Sequence, residues 1–436
     1  MKKGNPIALL PVGVFLVIYL GLGLLFEYGL KIPMGFYNIP IVIAFLVAIL
    51  VACLQNRSVS FDEKLGIMGQ GVGDKNIITM LLIFLAAGAF VGVVGRSSAQ
   101  SVADFMLSII PARFAVVVLF VVACFVSTAM GTSVGTITLL TPIAIEVAQA
   151  ASFGAPLCIG AVVGGAMFGD NLSFISDTTI AACNGQGCAM KDKFKGNFLI
   201  ALPAALATIA VLVVMTWNSS PVPIEQGYEL LQILPYVLVL VGGIVGINVF
   251  VVLLVGIVSG AVIMLATGQT APTELLASMG SGASGMFETS MVAILVAAMC
   301  GLIRVHGGFD ALLYLIRRLF KGNRGGQLGM GLLVGAMDIA TANNTVAIVM
   351  ANPIAKEMSQ EYDITPQRAA CILDTFSCIF QGVIPYGAQL LVAVSTATEM
   401  GCSLGAFDVM AYLYYPYFLL AVCLLNIFFG SSKKKA

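Results

Sequence analysis

Charge is what this 436-residue chain has least of: Asp, Glu, Lys and Arg make up 10% of it, with one His and one Trp. So thin a polar coat cannot cover a water-soluble domain. The formal net charge is zero, which excludes the basic field that nucleic-acid binding needs. The ten Cys form no CxxC pair and no Cys/His spacing of metal-binding kind, so they read as small membrane-core residues. No GxxxxGK[ST] loop occurs, which argues against an ATP-driven motor. No HExxH element and no nucleophile–base pair points to hydrolysis, so neither an enzyme nor a cofactor is expected. No soluble domain fits either, because polar interludes run to only about 15–20 residues, the size of connecting loops.

Apolar residues, by contrast, fill 59% of the chain, and the mean hydropathy is +1.03. Runs long enough to cross about 30 Å of hydrocarbon recur from end to end. The first, Pro6 to Phe26, is too long for a signal peptide's apolar core and lacks a small-x-small cleavage site, so it reads as a transmembrane helix.

The chain also repeats itself. Ser127–Ala144 reads STAMGTSVGTITLLTPIA and Asp338–Ala355 reads DIATANNTVAIVMANPIA. Both carry a small, polar cluster ahead of Pro-Ile-Ala, and the same shift lays Gly169–Ser176 over Phe380–Gly387. Two halves follow, 1–220 and 221–436. Charge makes them inverted, since basic residues gather on the cytoplasmic side. Lys2, Lys3 and Lys433–Lys435 put both termini inside, as do Lys191, Lys193 and Lys195 for the loop after the first acidic motif. The counterpart of that loop, Glu399 to Asp408, has no Lys or Arg, whereas Arg304, Arg317, Arg318, Lys321 and Arg324 crowd a loop whose own counterpart holds only Arg96 and Arg113.

The predicted fold is an all-α polytopic membrane protein of two inverted repeats, with about ten transmembrane helices, two re-entrant hairpins and two broken helices. Crossings are expected near 6–26, 38–54, 77–95, 157–190 and 197–217, then 229–246, 249–268, 290–303, 366–398 and 409–430. The hairpins fall at 114–150, turning at Gly131–Thr136, and at 326–361, turning at Thr341–Thr345. The 157–190 and 366–398 spans are too long for plain helices, and their Gly- and Pro-marked polar centres read as unwound breaks. Irregular backbone survives at membrane depth only inside protein or beside a watered cavity. Inverted repeats with broken helices are the pattern of secondary transporters.

The first break carries the chemistry: Phe168 to Ala182 reads FGDNLSFISDTTIAA. A charged Asp at mid-bilayer costs about 2.5–3.5 kcal/mol on insertion scales, so it is paired, watered or used. Asp170 and Asp177 with freed carbonyls make a hard-oxygen site suited to Na⁺. Ser173, Ser176, Thr178 and Thr179 add neutral oxygens, and Thr132, Ser133, Thr136, Asn343, Asn344 and Thr345 stand at the hairpin tips. Burial disfavours the bare carboxylate, so H⁺ and Na⁺ compete for it, and that competition alone yields exchange. The structural alternative, a fixed Lys or Arg partner, finds no basic residue within the span, Lys191 lying at its edge. Asp374, seven residues before Gln381 in the second broken span, reads equally as a second proton carrier or as a helix–helix contact, and Asp338 is open in the same way. Glu146 and Glu288 fall near the interfaces, His306 opens the Arg-rich loop as a solvated or headgroup-level residue, and Trp217 anchors its helix at the outer boundary.

GDNLSFISDTTIAA resembles the GDxxSPxSDTT stretch of NhaC-type Na⁺/H⁺ antiporters, part of the wider ion transporter superfamily, through Gly169, Asp170, Ser173, Ser176, Asp177, Thr178 and Thr179. The resemblance implies Na⁺/H⁺ exchange, inverted repeats with re-entrant hairpins, and a homodimer with an elevator-like transport domain. Two positions depart: Phe174 stands where that family usually has Pro, and Asn171 where Lys is frequent. Some similar proteins exchange organic acids or amino acids.

The reading is an inner-membrane antiporter moving Na⁺ (or Li⁺) out against H⁺, in contact with membrane lipid. Asp170 is its main shared ligand and Asp177 its second acid; Asn171, Ser173, Ser176, Thr178 and Thr179 complete the shell. The alternative is a Na⁺- or H⁺-coupled transporter of a small carboxylate or amino acid, bound at the hairpin tips with Asp374 and Gln381.

Overall fold

The computed structural model describes residues 4–31, 38–57, 59–174, 176–218, 228–245 and 247–429, and among these every regular element is helical. The first half holds α1 (Pro6–Leu24), α2 (Ile41–Leu54), α3 (Phe61–Val72), α4 (Lys75–Ile109), α5 (Ala112–Met130), α6 (Ser133–Ala150), α7 (Ala155–Leu172), α8 (Asp177–Gln186) and α9 (Met190–Thr216). The second holds α10 (Leu230–Ile244), α11 (Val249–Ala266), α12 (Pro272–Gly285), α13 (Phe287–Val305), α14 (Gly308–Leu319), α15 (Gly322–Thr341), α16 (Asn344–Glu361), α17 (Pro366–Val383), α18 (Ala388–Glu399), α19 (Ala406–Met410) and α20 (Tyr414–Phe429). Helices that begin at 61, 75, 112, 133, 155 and 177 have successors that begin at 272, 287, 322, 344, 366 and 388. Among the described residues nine helices are long and apolar enough to cross a membrane, and three shorter apolar ones accompany them. The chain is a multi-pass membrane protein. Lys2, Lys3, Lys433–Lys435 and most of the 218–228 connection, which bear on sidedness, lie outside the described residues.

Both hairpins are helix–turn–helix units with tight tips. Gly131 closes α5 in the left-handed region (φ 69°), and Thr132 caps α6 by accepting from the Gly135 N–H. Ala342 takes the same role after α15 at φ 47°, a conformation unusual for a residue with a Cβ, and Asn343 caps α16 through the Val346 N–H. Both long spans are interrupted where the polar residues predicted it. The backbone is extended at Ser173, where α7 ends, and at Ser176, where α8 begins, and α17 stops at Val383, to be followed by α18 from Ala388. At 1.5 Å per residue, the ten-residue α8 is about 15 Å long, half the hydrocarbon thickness, which sets the break near mid-depth.

Two features differ from expectation. The Arg-rich stretch 304–324 folds largely as the amphipathic helix α14, with Arg317 bonded to Glu357 at 2.5 Å and to Glu361 at 2.8 Å on α16. Its apolar face buries Phe309, Ala311 and Ile316 while its charges point outward, so periodicity at 3.6 residues rather than net charge decides the structure. His306 is half-buried, and burial first, then the neighbouring Lys64 charge, holds its imidazole below the usual histidine range. Lys64 is itself buried because its Nζ donates to the Cys53 and Gln55 carbonyls at the end of α2.

The halves interlock at the centre. The second arm of each hairpin packs on the post-break helix of the other half: α6 on α18, and α16 on α8. Across the latter contact Gln186 Nε2 donates to Asn352 Oδ1 at 2.9 Å, and Asn352 Nδ2 donates to the Ala181 carbonyl at 2.9 Å. Within the first half α5 lies close on α7, since a Cβ on Gly169 would collide with Ser127 and the Thr128 main chain.

Candidate cation site

Asp170 sits in the last turn of α7, buried, where the first hairpin tip, the second hairpin tip and the start of α8 meet. Each approaching element contributes a neutral donor. Ser133 Oγ donates to Oδ2 at 2.9 Å, Asn344 Nδ2 reaches the same oxygen at 3.4 Å, and Thr178 Oγ1 reaches Oδ1 at 3.4 Å. Ser176 Oγ donates to the Asp170 carbonyl at 3.0 Å while accepting from the Thr179 N–H, which ties the start of α8 to the end of α7. Ser173 Oγ donates to the Thr128 carbonyl at 2.8 Å and fastens the break to the hairpin. Among the described residues Asp170 makes no ion pair.

A layer of amides stands behind Ser133. Gln389 Nε2 donates to Ser133 Oγ at 3.0 Å, Gln381 Nε2 donates to Gln389 Oε1 at 2.6 Å, and Gln381 also donates to the Ala342 carbonyl at 3.1 Å. Gln381 and Gln389 occupy in the second half the places that Asp170 and Thr178 occupy in the first, so the equivalent break is built from neutral groups.

The second buried acid is differently placed. Asp374, on α17, forms an ion pair with Lys193 of α9 and accepts from Asn197 Nδ2 at 3.1 Å. Lys193 Nζ donates as well to the Asn171 carbonyl and to Thr179 Oγ1, both at 2.7 Å, and Asn197 bonds the Asn171 side chain. Asn171 therefore belongs to this network and not to the Asp170 pocket. The lysine that the NhaC resemblance leads one to look for at position 171 arrives from α9 instead. Phe174, in place of the usual Pro, stacks on Phe194 at 4.5 Å beside that lysine.

Several expectations need correction. Asp177 is exposed as the first residue of α8, and no hydrogen bond or ion pair among the described residues joins it to Asp170. The seven-residue spacing assumed a continuing helical face, whereas the break, extended at Ser173 and at Ser176, resets the register and turns Asp177 outward. Its place at the helix N-terminus suits a carboxylate through the helix dipole. The absence of a basic partner in the span is also overturned: Lys193, counted with the cytoplasmic charges, is buried. Lys191 and Lys195 are exposed on one face of α9, while Lys193 and Asn197 share the buried face. That i, i+4 pair of polar residues opening an apolar helix was the available signal. Thr132 and Thr136 are engaged within their own tip, Thr136 Oγ1 donating to the Thr132 carbonyl at 2.9 Å, and Asn343 caps α16 while its Nδ2 donates to Met80 Sδ at 3.1 Å. Thr345 is half-buried, its N–H donating to Asn344 Oδ1 at 3.0 Å. Sequence reading missed Lys193, Asn197 and Gln389.

The sequence matches the family described as Na⁺/H⁺ antiporter over residues 9–217 and 226–433. The chain belongs to that family. That family is one of antiporters, not of enzymes. Among similar proteins, the Na⁺/H⁺ antiporter NhaC of Alkalihalophilus pseudofirmus is 22% identical over 427 residues, covering 90% of this chain and 89% of that protein. The malate-2H⁺/Na⁺-lactate antiporter of Bacillus subtilis is 24% identical over 181 residues, 41% of this chain and 39% of the relative. An uncharacterized protein of Haemophilus influenzae is 31% identical over 169 residues, 38% of this chain and 32% of the relative. The chain thus spans about a third of the length of the last two relatives. The crystal structure of the Alcanivorax borkumensis YdaH transporter aligns over 98% of this chain and 99% of its own at 14% identity, with a TM-score of 0.44.

Proposed function

We propose that this chain exchanges Na⁺ for H⁺ across the inner membrane, with Asp170 as the group both cations share. One observation carries the reading: a buried carboxyl, at the break of an apolar span, whose direct partners are all neutral. An ionised carboxylate so placed is costly unless a cation neutralises it. Na⁺ and H⁺ each do so, one at a time, so a site that reorients only when neutral returns with one whenever it delivers the other. The Ser133 and Thr178 hydroxyls suit both occupants, since a hydroxyl donates to the carboxylate or turns its lone pairs toward a metal ion. Na⁺ and H⁺ are the cargo, and no cofactor enters the scheme. The remaining parts of the reading go with it: both termini cytoplasmic, a homodimer embedded in lipid, and the two halves as inverted repeats.

Purified protein in liposomes free of organic solutes tests the function. Added Na⁺ should dissipate an acid-inside gradient, read by a trapped pH dye. Gradient loss only when malate, lactate or another small carboxylate is supplied would instead establish the second reading, organic-acid exchange. That reading draws on the Bacillus relative and on a cavity lined by Gln70, Asp74, Arg304, Thr341 and Asn343, where an Arg and the second hairpin tip share one wall.

A further inference from the structure

Three acids are buried at the centre, and each has a different environment. Asp170 is held by hydroxyls and an amide, and Asp374 is paired with Lys193. Asp338, fully buried in the last turn of α15, has neither: no hydrogen bond of ordinary geometry reaches Oδ1 or Oδ2. Its carboxyl lies against the main-chain N–H of Gln381. Gln381 Oε1 is likewise buried and without a partner, although its Nε2 donates to both Ala342 and Gln389. Three acceptor atoms on the packed helices α15 and α17 are thus left without donors. The other titratable groups that face Asp338 are Cys378 and Tyr386, neither of them basic, and the Tyr386 hydroxyl is committed to the Ile339 carbonyl at 2.7 Å.

Buried acceptors without donors are rare because each forfeits its hydration. One proton on Asp338, donated to Gln381 Oε1, still leaves one carboxyl oxygen bare, whereas a hard monovalent cation balances the carboxylate charge and takes all three oxygens as ligands. A cleft lined by Thr341, Ala342, Asn343 and Tyr386 opens beside the same tip. We infer that Asp338 and Gln381 form a second Na⁺ site at the second hairpin tip, distinct from the one at Asp170. The inference rests on the Na⁺ reading of the Asp170 site and adds to it a second bound ion.

The two sites are joined by oriented hydrogen bonds. With Oε1 turned to a cation, Gln381 keeps Nε2 on Gln389, Gln389 keeps its own amide on Ser133, and Ser133 keeps its hydroxyl on Asp170. Filling the second site therefore holds Asp170 in its cation-accepting form, and the coupling is reciprocal.

Equilibrium binding of ²²Na⁺ to the purified full-length protein in nanodiscs tests the inference. Wild type should saturate with two ions per chain, Asp170→Asn with one and Asp338→Asn with one. Gln381→Leu, which keeps the acid and removes one ligand, should bind the second ion several-fold more weakly. Wild-type stoichiometry and affinity in Asp338→Asn, with Asp170→Asn binding nothing, would overturn the second site and leave the exchange reading standing. Absence of binding in wild type would remove the Na⁺ reading and this inference with it. Should Asp338→Asn fail to elute as a monodisperse peak, Gln381→Leu decides alone: unchanged affinity there refutes the site.

Discussion

The two breaks share a scaffold and differ in charge. In the first, α7 ends beside Asp170, and Ser176 and Thr178 open α8 with hydroxyls turned to that acid. In the second, α17 ends beside Gln381 and α18 opens with Gln389; the Gln381 amide donates to Gln389 Oε1 at 2.6 Å while its own Oε1 stays without a partner. Equivalent breaks thus present a carboxylate in one half and a pair of neutral amides in the other. The broken helix supplies the setting, and the residue set into it decides whether a cation is needed. Asp374 differs again, since a lysine built against its Oδ2 supplies the countercharge that Asp170 lacks among its direct partners.

The largest effect should come from removing the charge that separates the two breaks. Asp170→Asn should keep the protein folded and inserted but lower Na⁺-driven proton flux in liposomes to background, and normal flux would end its assignment. Next in size is the ion pair. Lys193→Met leaves Asp374 buried and unpaired, which should cost about 3–5 kcal/mol and appear as a much lower melting temperature. Lys193→Met combined with Asp374→Leu should recover most of that stability and retain exchange; a stable but inactive double variant would make Asp374 part of the transport chemistry. Gln389→Leu cuts the amide link to Ser133, and loss of about 1 kcal/mol of hydrogen bonding should weaken apparent Na⁺ affinity roughly fivefold. Smallest of all, Asp177→Asn should change flux by no more than about twofold, as expected of an exposed position. A large loss there would restore Asp177 to the site.

Much of this was legible in the sequence, for identifiable reasons. The breaks showed because lipid tolerates no unpaired backbone, so Gly, Pro and hydroxyl residues inside an apolar run have few uses other than interruption. The hairpins showed because the two Pro-Ile-Ala segments carried the same polar cluster at the same distance. Ser133, Asn344, Thr178 and Asp170 were each singled out on these grounds. What stayed hidden depended on direction. Lys193 lies among Lys191 and Lys195 and was counted with them, although helical geometry turns it to the opposite face. Gln389 entered no motif, since its importance arises from α18 packing on α6 of the other half. Asp177 was overvalued because residue spacing across a break no longer measures angle.

The exchange of partners between halves bears on biosynthesis. Because α6 completes its packing only on α18, and α8 only on α16, the leading half leaves the ribosome with its polar centre still uncovered. Asp170 must wait for Asn344, some 174 residues later in the chain. During that interval the nascent protein holds an acid in the bilayer with one of its three side-chain donors missing. A chain cut after α9 should therefore be cleared by membrane proteases, and should survive when the trailing half is co-expressed as a separate polypeptide.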